Sequence, residues 1–138
     1  MWIAYSEWPL RLDELCQALG IEIRLTALEN DNVPSIRTIL NCGPGLVIVD
    51  SSCFQVCLVH FTLQERILAN STLVCTPYSM ITEVCLTYLN FGRIRDLSPA
   101  LYLPSPTAPF LQYASYCGAH ACGQTSTSVA SLALKLLD

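Results

Sequence analysis

The sequence predicts a mainly α fold with a small β-hairpin wing, and three observations carry that reading. Apolar residues recur at helical spacing in the windows 12–19, 81–89 and 129–137. Between the first two windows lie two short runs rich in β-branched residues, "LVIV" and "FQVCLVH", separated by the turn-forming Asp50, Ser51, Ser52 and Cys53. Elsewhere Gly and Pro punctuate the chain.

Each element has its own local cause. Residues 1–6 read as the last turns of a helix. Residues 10–19 form a helix with Leu12, Leu15, Cys16 and Leu19 on one face. Asp13 and Glu14 sit in its first turn, where the macrodipole favours acids, and Gly20 supplies the residue after its end. Residues 21–25 alternate apolar and charged side chains, the pattern of a short strand. After the polar break 29–32, Pro34 opens a helix over 34–40, with Ile36, Ile39 and Leu40 turned inward, and Gly43-Pro44-Gly45 stops it. Strands at 46–49 and 54–60 follow. Thr62-Leu63-Gln64-Glu65 then fits a capping box, in which the hydroxyl accepts from the Glu65 amide and the carboxylate reaches back. That helix runs to about Leu68.

A loop over 70–77 leads to a strongly amphipathic helix at 79–91, whose stripe is Ile81, Val84, Cys85, Tyr88 and Leu89. Four prolines make 99–109 a linker. Helices at 110–122 and from about Ser126 complete the chain, the last with Val129, Leu132, Ala133, Leu136 and Leu137 on one face. The expected core is Leu12, Leu15, Leu19, Ile36, Ile39, Leu40, Val47, Val49, Val56, Leu58 and Ile67. The stripes at 81–89 and 129–137 form a second cluster or a docking face.

Composition narrows the function. Of 138 residues, 52% are hydrophobic and 13% charged, against about 25% charged in an average soluble domain. Disorder is excluded, since it needs low hydrophobicity and high charge. Much of the folded surface must stay apolar, which predicts a protein partner or further chain to cover it. The formal charge is −4, and six of the seven basic residues are arginines scattered along the chain. Without a basic stripe, nucleic-acid binding is disfavoured.

Eight cysteines contain no C-x-x-C; the nearest approaches to a metal motif are Cys53-x3-Cys57 and the group Cys117, His120 and Cys122. Reduced buried thiols in a cytoplasmic protein are the expectation. No leader peptide and no apolar run of membrane-spanning length is present. The chain also lacks the P-loop signature, the G-x-S-x-G elbow, H-E-x-x-H and a Gly-rich dinucleotide turn. Asp13 and Glu14 are adjacent on a helix and diverge, so they make no catalytic carboxylate pair. The sequence thus reads as non-catalytic, with no cofactor and no metal.

Helix, short strand, helix, two-stranded wing and helix across residues 10–68 is the element order of a winged helix. Many such domains bind DNA through the second helix, but here that helix offers Arg37 as its one cation and the wing offers none. A protein-packing winged helix fits better than a DNA-binding one.

The stretches "MWIAYSEWPLRLDELCQALGIEI", "LVHFTLQERIL", "MITEVCLTYLNF" and the closing "PFLQYASYCGAHACGQTSTSVASLALKLLD", in that order, resemble a segment of large fungal NACHT and ankyrin-repeat proteins of the STAND class. The segment is catalogued as the GPI inositol-deacylase winged helix domain. The resemblance implies a winged-helix domain at 1–70 and, at 71–138, part of a helical domain that leads into ankyrin repeats. It implies a latch that packs on a nucleotide-binding domain, or on the ankyrin repeats, of a full-length relative. It also places His60, in "LVHFT", at the position that approaches a bound phosphate in related proteins, a role an imidazole donor can fill. The catalogue name alone raises a hydrolase acting in GPI inositol deacylation, against which the missing serine elbow argues.

This chain departs from the family pattern at Cys117-Gly118 and Cys122, where a Trp-Gly pair and an Arg are usual, and at Arg66, where an aromatic residue is usual. It contains no P-loop domain with which to bind nucleotide itself. The expectation is a fragment or truncated paralogue, an interior slice of a larger architecture.

Overall fold

The computed structural model describes residues 1–23, 25–70, 72, 76–97, 107–121 and 127–137. Its elements run α1 (Trp2–Tyr5), α2 (Leu12–Gly20), a 3-10 turn (Asn30–Asn32), α3 (Ile36–Cys42), β1 (Val47–Val49), β2 (Val56–Leu58) and α4 (Phe61–Ala69). Then come α5 (Pro77–Leu89), α6 (Gly92–Arg95), α7 (Leu111–Ala121) and α8 (Thr127–Leu137). The described chain is mostly helical, with one two-stranded antiparallel sheet.

The entry to α2 is fixed by its own acids. The Glu14 carboxylate reaches back to accept from the Arg11 backbone N–H at 2.7 Å, and Asp13 Oδ1 accepts from the Glu14 N–H at 3.1 Å. Orphan amides of the first turn are thereby bonded. The exit differs from the sequence expectation. Gly20 is the last helical residue, and the chain leaves through extended Ile21 rather than through a left-handed glycine. Glycine is needed there for space: a Cβ at Gly20 would lie 2.8 Å from Val33 Cγ2 and 3.0 Å from the Val33 Cα.

No strand forms among the described residues of 21–25. Ile21 is buried and the Leu25 N–H closes a turn onto the Glu22 carbonyl at 3.1 Å, while Arg24 lies outside the described residues. Extended pairing occurs instead just before α2. Arg11 bridges antiparallel to Gln55, with Val56 N–H donating to the Leu10 carbonyl and Leu12 N–H to the Phe54 carbonyl, each at 2.9 Å. Leu10 and Leu12 are buried around exposed Arg11, so the period-two pattern is real but too short to stand out.

In α3 the cap is Ser35, whose Oγ accepts from the Thr38 N–H at 3.2 Å, so the helix starts after Pro34. Ile39 points inward as expected and Leu40 is half-buried, but Ile36 is 50% exposed. Leu19 likewise leaves the expected core at 46% exposure. Both residues extend an apolar stripe around the helix beyond the arc that its neighbours cover.

The strands pair as Val47↔Leu58, Ile48↔Cys57 and Val49↔Val56. Asp50 organises the turn: its Oδ1 accepts from the Ser52 N–H at 2.8 Å and the Ser52 hydroxyl at 2.6 Å. Phe54 closes the turn in the left-handed region at φ 57°. The next helix begins one residue before the expected capping box. α4 starts at Phe61, His60 stands at its cap position without a side-chain bond, and Thr62 falls inside the first turn. The last sheet bond, Val59 N–H to the Leu46 carbonyl at 2.9 Å, lets the chain bend into helix immediately.

α5 is the central helix. Of the expected stripe, Ile81, Val84, Cys85 and Tyr88 are buried and Leu89 is half-buried, while Thr82, Leu86 and Thr87 are buried on the other side. α7 packs on one flank and α8 on another, where Val129 meets Leu86. The Asn90 amide donates to the carbonyls of both Leu86 and Leu132, tying α8 to the end of α5. The stripe at 81–89 is therefore covered core. Leu136 and Leu137, expected on the last face, fall outside the residues whose side chains are described.

The N-terminal turns are structural anchors. Trp2 meets the Phe110 ring edge-on at 5.8 Å, Phe110 stacks on Tyr113 at 5.5 Å, and Trp8 packs between Tyr113 and Tyr116. Tyr5 donates to the Ile67 carbonyl, and the Gln64 amide donates to the Ala4 carbonyl. One hydrophobic cluster, from Trp2 through Leu15, Ile39 and Val56 to Cys85, Phe110 and Cys117, draws on residues either side of position 70.

Candidate functional site: the hairpin face

The hairpin separates two apolar faces. Val47, Val49, Val56 and Leu58 pack toward the core, with Val56 fully buried. The alternate residues Leu46, Ile48 and Val59 are exposed, Phe54 is exposed at the turn, and Phe61 at the start of α4 is 71% exposed. Strand alternation forces this: the register that buries one set of alternate residues presents the other set to solvent. Here the exposed set is apolar where a solvated antiparallel sheet normally carries polar residues. Among the described residues β1 pairs with β2 alone, which leaves its outer edge without a strand partner there. Asp50 is the one ionisable carboxylate of the turn; the two bonds from Ser52 hold its pKa below the usual carboxylate value.

His60 is exposed where β2 meets α4. Its backbone is extended and its carbonyl accepts from the Leu63 N–H at 3.1 Å. Arg37 is exposed on α3. Phe61, the most exposed large apolar side chain among the described residues, escaped the sequence reading. The signal was present as an apolar residue immediately before Thr62, on the solvent side of the strand period.

The metal-motif residues do not form a described site. Cys117 is buried, whereas the His120 side chain and Cys122 lie outside the described residues. Among the described residues no group of three or more His, Cys, Asp or Glu is placed to hold a metal. Cys16 and Cys85 are buried free thiols, as their positions on apolar stripes predict. Cys117 interacts with Cys85 and Tyr113 in the core; the interaction with Cys85 raises the pKa of the Cys85 thiol and, with that of the tyrosine, lowers the pKa of Cys117. Glu14, under the Arg11 amide, has its pKa raised by burial, a rise that the Arg11 hydrogen bond partly offsets.

No helix among the described residues is long and apolar enough to cross a membrane. Comparison of the chain with protein-family models, curated proteins and solved structures found no match.

Proposed function

We propose that this chain is a non-catalytic, cytoplasmic protein-interaction module. In this reading it is a winged helix with part of a following helical domain, and its hairpin docks on a partner such as the nucleotide-binding domain of a STAND-type protein. The observation that carries the reading is the exposed apolar set Leu46, Ile48, Phe54, Val59 and Phe61 on one small hairpin region. Clustered apolar surface of this kind marks interaction sites rather than ordinary solvated surface.

The element order supports the fold part of the reading. With Arg11 pairing Gln55, the sequence of elements is helix, strand contact, helix, helix, strand, strand, in which the first extended segment joins the last strand. That places the extended segment before α2 rather than at 21–25, and it lets α2 and α3 stand as the helix pair of a winged helix. Docking on DNA would require cations on α3 and the hairpin; α3 carries Arg37 alone and the segment 46–60 carries none.

The test is binding to a full-length NACHT relative by surface-immobilised chain. We expect micromolar association that Phe61→Ser and Ile48→Ser each weaken at least about fivefold, the loss of roughly 1 kcal/mol from an apolar contact. Absence of association at that concentration, or association insensitive to both substitutions, defeats the docking role. A salt-dependent shift with duplex DNA would favour the DNA-binding alternative instead.

A further inference from the structure

A cavity of about 480 Å³ lies between α2, the 27–30 loop, α5 and α6, and it shares no residue with the hairpin. Its size falls within the range of small-molecule sites, which combine an apolar wall with a few placed polar groups. Tyr88, Phe91 and Ala108, all buried, form the apolar interior, and Leu28 and Ile94 continue it toward the surface.

The polar side chains of the lining include the Gln17 and Asn30 amides, the Arg93 guanidinium and the Thr107 hydroxyl. The Phe110 N–H, which can only donate, bonds Gln17 Oε1 at 3.3 Å, and the Tyr88 hydroxyl donates to the same oxygen at 3.1 Å. These bonds fix the orientation of the Gln17 amide and occupy its acceptor. Both N–H groups of Gln17 Nε2 are left without a protein partner among the described residues. Arg93 stands in the lining with five further donors, and Asn30 adds an amide. No Asp or Glu occurs among the described lining residues. An apolar chamber with an excess of donors, one of them cationic, matches a ligand with an apolar body and an anionic acceptor head.

We propose that this cavity binds a small aryl- or alkyl-carboxylate. Its apolar body lies against Phe91, Leu28 and Ile94, and its oxygens take hydrogen bonds from the donors of Arg93, Gln17 and Asn30. Calorimetric titration of the full chain with 4-phenylbutyrate, beside the uncharged 4-phenylbutanol, tests this directly. The expected result is saturable binding of the acid with Kd below about 1 mM, tighter than that of the alcohol. Arg93→Gln should weaken the acid about five- to tenfold and leave the alcohol unchanged, because only the charged head uses the guanidinium. Ala27→Trp fills the rim from an exposed position, so it should abolish binding of both probes without lowering the melting temperature. Three outcomes would each overturn the proposal: no saturable binding of the acid up to about 1 mM, equal loss of acid and alcohol in Arg93→Gln, or unchanged binding in Ala27→Trp.

Discussion

At the scale of single residues, Glu14 and Gly20 show how position outweighs type. Glu14 belongs to a helix first turn, where a carboxylate is favoured, yet it is buried and its pKa is raised in the fold. A carboxyl whose folded pKa lies above its unfolded value stabilises fully below the unfolded value. It gives that stability up as pH rises through the folded value. Replacing Glu14 by Gln keeps an oxygen for the Arg11 N–H and removes the titration. The stability of Glu14→Gln relative to the parent should therefore improve between pH 4 and pH 8, as read from urea midpoints at both. A constant difference would show that burial is not what moves this group.

For Gly20, helix propensity and packing have opposite signs. Alanine is the better helix former by roughly 1 kcal/mol in a helix interior, but its Cβ would meet the Val33 backbone and side chain at 3.0 Å or less. Overpacking costs of about 1–3 kcal/mol exceed that gain, the more so at a helix end. Gly20→Ala should lower the urea midpoint, and a rise would mean that Val33 yields freely. The sequence flagged Gly20 correctly as special and for the wrong reason, because a close approach from thirteen residues away leaves no local trace.

At the scale of elements, the hairpin was legible, and no strand forms among the described residues of 21–25. The hairpin declared itself through Val and Ile runs bounded by Gly-Pro-Gly and Asp-Ser-Ser, all local signals. Residues 21–25 alternate too, but their backbone closes a turn and Ile21 alone of them is buried among the described side chains. The segment that does pair, around Arg11, is three residues long and depends on Gln55, which no window of sequence connects to it. The turn also carries a measurable strain. A non-glycine residue in the left-handed region costs about 1–2 kcal/mol, part of which glycine returns through the unfolded chain's greater freedom. Phe54 is 58% exposed, so little apolar burial is lost when it is replaced. Phe54→Gly should therefore stabilise by about 0.5–1 kcal/mol, measured by chemical denaturation, while removing one apolar side chain from the exposed hairpin surface.

At the scale of the whole molecule, the composition argument of low charge and high apolarity has a partial structural answer. Much of the apolar content is consumed by an aromatic core that joins the N-terminal turns to α5 and α7. The rest includes the hairpin face, where Phe61 and Phe54 stand in solvent. The sequence located the stripe of α5 but not its encirclement. Thr82 and Thr87 look like a solvated face in the helical pattern and are buried, and Leu86 between them packs against Val129, over forty residues downstream. Because the cluster crosses position 70, residues 1–70 expressed alone should lack cooperative thermal unfolding and a near-ultraviolet dichroism signal, as Trp2 and Tyr5 lose Phe110, Tyr113 and Tyr78. In the full chain, Phe110→Ala should cost about 3–5 kcal/mol, the usual loss for a fully buried phenylalanine at a side chain with 0% exposure.

The contact between Cys85 and Cys117 turns the seam of α5 and α7 into a clock. An alkylating reagent reaches these two sulfurs when the helices separate, whereas Cys42 and Cys53 on the surface react at once. Following alkylation of Cys85 and Cys117 by peptide mass over time, in the protein without substitutions, would read how often the heart of the molecule breathes. Ligand in the neighbouring cavity, which shares Tyr88 of α5, would slow that clock.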